Sequence, residues 1–151
     1  MNIDFNKIPS WWPLCPNAGC PQAADYLRHQ ALLQAPASVT HWPCLMPSAY
    51  NGTPCDYFIQ ARTVRLARGF ADLMRGIRSR DTRHNTRMAL TAYFGSRGSY
   101  YRYRDGERPL SPQQEQEVTA ILRRNGITDE EPFDEYFDTF DYTHIANSNP
   151  R

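Results

Sequence analysis

The chain has 151 residues, 40% of them hydrophobic, and its 17 basic and 16 acidic residues leave a net charge of +1. That length suits one ordinary domain, able to bury roughly two-thirds of its unfolded surface. The longest apolar runs are a few residues, which excludes a helix of the ~20 apolar residues that span a bilayer. Met1 to Lys7 lacks the basic stretch and apolar run of a signal peptide, so the expectation is a cytoplasmic protein without a membrane partner.

Eight prolines fall between positions 9 and 54, and this predicts a loop-rich beginning. One helix is expected from Pro21, a residue suited to a first helical turn, through Ala23, Ala24, Leu27, Ala31 and Leu32. Val39 to Trp42 reads as a short strand ended by Pro43. From residue 62 the apolar spacing becomes three and four. Val64, Ala67, Phe70, Leu73, Met74 and Ile77 form one predicted helical face, opposite Arg62, Arg65, Arg68, Asp72 and Arg75. Asp81 is placed to cap a second helix carrying Met88, Leu90, Ala92 and Tyr93, which Gly95 ends. A short segment follows from Ser96 to Arg104, stopped by Asp105 and Gly106. Ser111, Pro112 and Gln114 spell a capping box with proline in the first turn, and that helix runs to Asn125 and Gly126. Thr128 with Glu131 reads as another box, opening an aromatic-faced helix with Phe133, Tyr136, Phe137, Phe140 and Tyr142. The expected fold is α+β and mostly α. A cysteine- and proline-rich subregion (residues 1–61) packs on a helical bundle (residues 62–151) as one compact unit.

Cys15, Cys20, Cys44 and Cys55 all lie in the first 55 residues, with His29 and His41 nearby. The turn from Cys15 to Cys20 can bring two thiolates to one cation, and zinc takes four sulfur or nitrogen ligands. Metal binding would also stabilise a segment with little regular structure. Four thiolates would equally serve an iron–sulfur cluster. Buried free thiols, or a disulfide or redox role, are the alternatives for cysteines inside a cell.

The charges are segregated. Residues 1–61 carry a net of −1, residues 62–108 carry twelve arginines against four acids for +8, and residues 109–151 carry three arginines against nine acids for −6. Arginine presents a planar fork of donors matched to phosphate and carboxylate. Either the basic middle meets an external polyanion, or the acidic end folds back and neutralises it.

Ala89 to Pro109 resembles the helix-turn-helix of lambda-repressor-like domains: an apolar helix, Gly95, a Ser96-capped second helix, then Asp105-Gly106. The resemblance implies that Tyr100 and Tyr103 are buried. It turns Ser96, Arg97, Tyr101 and Arg102 toward base edges and leaves Arg104 and Arg108 for phosphates. The sequence departs from the pattern in having one residue fewer between glycine and serine, and in placing Gly98 inside the second helix. Most of the chain is also similar to an uncharacterised family of small Bacteroidales proteins. That likeness rests on Cys15, Cys20-Pro21, Tyr26-Leu27-Arg28, Cys55 with Tyr57-Phe58, Tyr100-Tyr101-Arg102, Gly106-Glu107-Arg108 and Phe133 to Tyr136. In that family a cysteine often stands at the position of Tyr26, so the likeness implies that Cys44 replaces it as a ligand or that the site is lost.

No nucleophile with an orienting base stands out, and no phosphate-binding glycine loop is present. His84 and His144 have polar neighbours and no motif, and Asp134, Glu135, Asp138 and Asp141 read as the solvated side of the aromatic helix. The expected function is therefore not enzymatic. It is nucleic-acid binding, most readily DNA, in a regulatory role with a structural zinc site. An adaptor whose arginine face meets an acidic protein partner, or a metal or redox sensor, is the alternative.

Overall fold

Local capping chemistry sets several helices where the sequence places them. The computed structural model describes residues 2–52 and 55–145, so Pro54 of the proline cluster lies outside them. Among the described residues are five α-helices and three strands, an α+β fold that is mostly α. Helix α3 (Arg80–Phe94) ends on Gly95 at φ +84°, a left-handed conformation that glycine adopts without steric cost. Helix α4 (Arg97–Arg104) starts where the Ser99 amide donates to Ser96 Oγ. Helix α5 (Pro112–Arg124) carries the complete Ser111–Gln114 capping box.

Other elements differ from the sequence expectation. Ser79, rather than Asp81, caps α3 by accepting from the Thr82 amide, and Asp81 sits in the first turn, where an acid complements the helix dipole. The expected helix over Val64–Ile77 is two elements, strand β1 (Thr63–Arg68) and the one-turn helix α2 (Ala71–Gly76). Gly69 separates them at φ +71°, and a Cβ there would meet Asp134 Oδ2 at 2.7 Å. The expected aromatic helix is strand β3 (Glu135–Phe140), and no helix opens at Thr128. With β2 (Pro109–Leu110) these strands form a sheet in the order β2-β1-β3, in which Ala67 faces Leu110 and Arg68 faces Pro109 antiparallel. The helix expected from Pro21 is a 3₁₀ turn (Ala23–Asp25) followed by α1 (Leu27–Leu33). Residues Val39 to Trp42 are irregular; the nearby pairing is a single parallel bridge between Leu14 and Cys44.

The chain divides into two compact units, residues 1–64 with 139–151, and residues 65–138. In the first, Arg28 is fully buried. Its guanidinium lies 4.1 Å from the Trp12 ring centre and donates to the Pro13 and Tyr57 carbonyls at 2.7 and 3.2 Å. Ile3, Phe5, Ile8, Leu14, Leu27 and Ala31 pack around Trp12. In the second, Phe70, Leu90, Tyr100, Leu110, Val118, Leu122 and Phe133 form a continuous core. No helix among the described residues is long and apolar enough to cross a membrane.

Candidate arginine cleft and thiol pocket

Helices α2, α3 and α4 present their arginines to one concavity of about 330 Å3. Arg75 comes from α2, Arg83 and Arg87 from successive turns of α3, and Arg104 from the end of α4; Ala71, Met74, Tyr100 and Tyr101 complete the lining. The spacing explains the convergence, since residues four apart share a helix face. Tyr100 is buried on the inner side of α4 and packs edge-on against Phe70 at 5.8 Å between ring centres. That anchor turns the adjacent Tyr101 toward the cleft.

The guanidiniums are unequally compensated. Arg75 pairs with Asp72 one turn earlier, and Arg104 pairs with Asp105 at 2.7 Å. Arg83 is braced on the Ile77 carbonyl and Arg87 lies 3.4 Å from His84 Nδ1. Among the described residues neither has a carboxylate within 4.0 Å. The Tyr101 ring has the Arg104 guanidinium 4.5 Å and the Arg97 guanidinium 5.6 Å from its centre. A hydrogen bond from Arg97, with the charges of Arg97, Arg104 and Arg87, holds its phenol below the ordinary range.

The acidic segment engages other groups. Glu131 pairs with Arg65 at 3.5 Å and Glu135 with Arg68 at 4.0 Å. Asp134 accepts from the Ala71 and Asp72 amides at 2.9 and 3.2 Å and so caps α2 from 62 positions away. Glu117 accepts from Tyr93 and from Gln113. None of these carboxylates reaches Arg83, Arg87, Arg97, Arg102 or Arg108.

Of the nucleic-acid residues expected from sequence, Tyr101 and Arg104 line the cleft and Arg97 stacks on Tyr101. Ser96 is the cap of α4, and Arg102 and Arg108 are exposed outside the cleft. Tyr100 is buried as expected, whereas Tyr103 is half-buried, stacked on Phe94 at 4.4 Å. Sequence reasoning missed Arg75, Arg83 and Arg87 as site residues. The i, i+4 spacing of Arg83 and Arg87 was the available signal; their meeting with α2 and α4 was not.

In the other unit Cys15, Cys20 and Cys55 line one pocket of about 230 Å3 together with Tyr26 and Tyr50. The turn that joins the first two is shaped by Asn17, whose side chain accepts from the Gly19 amide at 3.1 Å. Burial pushes the Cys15 thiol up, and the nearby Cys55 and Cys20 sulfurs add to this. Cys55 Sγ lies 3.9 Å from the Tyr26 hydroxyl. Burial, then Cys55, raises the Tyr26 phenol far above its ordinary value. Cys44 is exposed and directed to the Trp42 carbonyl at 3.6 Å, outside this pocket. His29 turns Nδ1 to the Cys15 carbonyl at 2.9 Å, and His41 is exposed beside Thr40. All four thiols are free, and among the described residues no three Cys, His, Asp or Glu side chains converge as a metal-binding group.

The thiol turn, the buried Tyr26-Leu27-Arg28 step and the α4 segment are the parts on which the family resemblance rested. A family of unknown function, DUF6078, matches residues 1–142. The chain belongs to that family. No curated protein and no solved structure matches it.

Proposed function

We propose that this DUF6078 member binds nucleic acid through the arginine cleft between α2, α3 and α4. The observation that carries the reading is the pair Arg83 and Arg87, which face one cavity with no carboxylate partner among the described residues while the acidic segment pairs with or caps other groups. Guanidiniums held close together repel each other, and an anion that enters between them relieves that cost while accepting forked hydrogen bonds. Arg97 on Tyr101 adds a stacked aromatic–cation face of the kind that receives unpaired bases.

Anisotropy titrations of labelled single-stranded and duplex oligonucleotides at several salt concentrations test this. Three or four phosphate contacts give a log–log slope of roughly −3. Arg83→Ala and Arg87→Ala should each flatten that slope by about 1, and both should weaken binding more than Arg102→Ala. Salt-dependent binding to an acidic peptide, with none to nucleic acid, would transfer the cleft to the adaptor reading.

A second reading concerns the thiol pocket. Cys15, Cys20 and Cys55 surround one cavity, and a zinc ion recruiting these three would need one further ligand to complete a tetrahedron. This reading does not assign that place to Cys44, which is exposed and directed to the Trp42 carbonyl.

A further inference from the structure

The shape and charge of the cleft specify more than a polyanion. We propose that it receives a single phosphate monoester borne on a nucleoside, a strand terminus or a free nucleotide, rather than the internal backbone of a duplex. This rests on the nucleic-acid reading above and narrows it.

Charge supplies the first argument. Four guanidiniums line the cavity; Asp72 and Asp105 offset two of them, which leaves a surplus of two positive charges on Arg83 and Arg87. A phosphate monoester carries about −1.5 to −2 at neutral pH and three acceptor oxygens. It therefore matches that surplus, whereas one internal phosphodiester supplies a single negative charge. Arg83 presents its donors already braced by two hydrogen bonds to the Ile77 carbonyl, so little side-chain freedom is lost on binding.

Shape supplies the second. Duplex DNA is read by convex elements, such as a helix projecting into a groove. Here Arg75, Arg83 and Arg87, all exposed, and the partly buried Arg104 rim a concavity between three helices, in a volume of about 330 Å3, at the lower end of the range for small-molecule sites. The floor is apolar, with Met74 and the Tyr100 ring buried beneath it. Tyr101 stands beside the cationic end with its ring half-exposed. An apolar wall next to a dicationic end fits a nucleoside followed by its phosphate.

The full chain decides this with one oligonucleotide sequence phosphorylated at one terminus, at the other, or at neither, together with the free nucleoside monophosphate as competitor. The expected result is that one terminal phosphate strengthens binding about tenfold or more, in line with charge-assisted hydrogen bonds. Arg83→Gln and Arg87→Gln should each erase that gain, so that within either variant the phosphorylated and unphosphorylated strands bind equally. Inorganic phosphate should compete more strongly with the phosphorylated strand than with the unphosphorylated one. Equal, salt-dependent affinity for all three strands overturns the terminal-phosphate inference and leaves the nucleic-acid reading standing. Binding of the free nucleotide, sensitive to both arginines, with no binding of any strand, keeps the phosphate-monoester site and overturns the nucleic-acid reading. Binding of neither overturns both.

Discussion

The two units are held by different means. Residues 65–138 form a core of apolar side chains carried on helices, three of which are capped locally by Ser79, Ser96 and Ser111. In the first unit one helix, α1, is seven residues long, and much of the polypeptide is turns and irregular backbone. There the buried Arg28 replaces regular hydrogen bonding: it joins the adjacent Trp12 and Pro13 to Tyr57 in a second loop. A capped helix satisfies its backbone locally, whereas a loop-rich unit needs a side chain long enough to satisfy carbonyls at a distance. The same residue type thus has opposite settings in one chain, a buried clasp at Arg28 and exposed guanidiniums without a carboxylate partner among the described residues at Arg83 and Arg87.

The comparison makes its largest prediction about these two cores. Phe70→Ala removes a fully buried ring that touches Phe94 and Tyr100 and should cost about 3–5 kcal/mol by chemical denaturation. Arg28→Met keeps much of the volume but takes the donor from the Pro13 carbonyl, at about 1–3 kcal/mol, while the Tyr57 carbonyl keeps the Tyr26 hydroxyl. Hydrogen exchange should localise the second loss to residues of the first unit. If Arg28→Met melts like the wild type, the clasp is ornamental and apolar packing around Trp12 holds the loops.

Metal binding sharpens the contrast, because it would stabilise only the unit with little regular structure. If the thiol pocket closes on a metal as in the second reading, elemental analysis should find about one zinc per chain. Cys15→Ser, Cys20→Ser and Cys55→Ser should each remove it and lower the melting temperature, while Cys44→Ser should retain it. The raised Cys15 thiol must lose its proton to bind, so affinity should increase with pH. Four titratable thiols in protein that melts identically with and without zinc would exclude the site.

How legible each unit was follows from how it is held. Gly95, Ser96, Ser111 and Gln114 act within a few positions of themselves, so their spacing announced α3, α4 and α5. The misread stretch at 62–77 satisfied a helical spacing, yet Thr63 and Val64 are β-branched and Gly69 must adopt a positive φ. What decided it was distant: strand pairing to Leu110, and Asp134 capping α2 across the sequence. Phe133 to Tyr142 failed for the same reason, since aromatic spacing there fits either period and pairing in the sheet chose the strand. The cysteine cluster was visible as a cluster, but that Cys44 stands apart depends on the Leu14 bridge. The arginine surplus was countable from sequence; which arginines converge was not.

The smallest predicted effects come from two tyrosines, one in each unit. Tyr26 is buried beside thiols and its phenol is raised, whereas Tyr101 lies among Arg97, Arg104 and Arg87 and its phenol is lowered. An unfolded phenol ionises near about 10. For Tyr101 the folded protein releases the proton first, so its contribution to stability grows as pH rises from its folded value toward that of the unfolded chain. For Tyr26 the sign reverses: its contribution is whole below the unfolded value and is lost as pH climbs above it. In a spectrophotometric titration Tyr101→Phe should therefore delete a phenol that ionises below the ordinary range, and Tyr26→Phe one that ionises only with unfolding. Inorganic phosphate should push the Tyr101 transition upward by screening the surrounding guanidiniums, and it should leave Tyr26 unmoved. A Tyr101 transition indifferent to phosphate would mean that the arginine cleft is not where the anion binds.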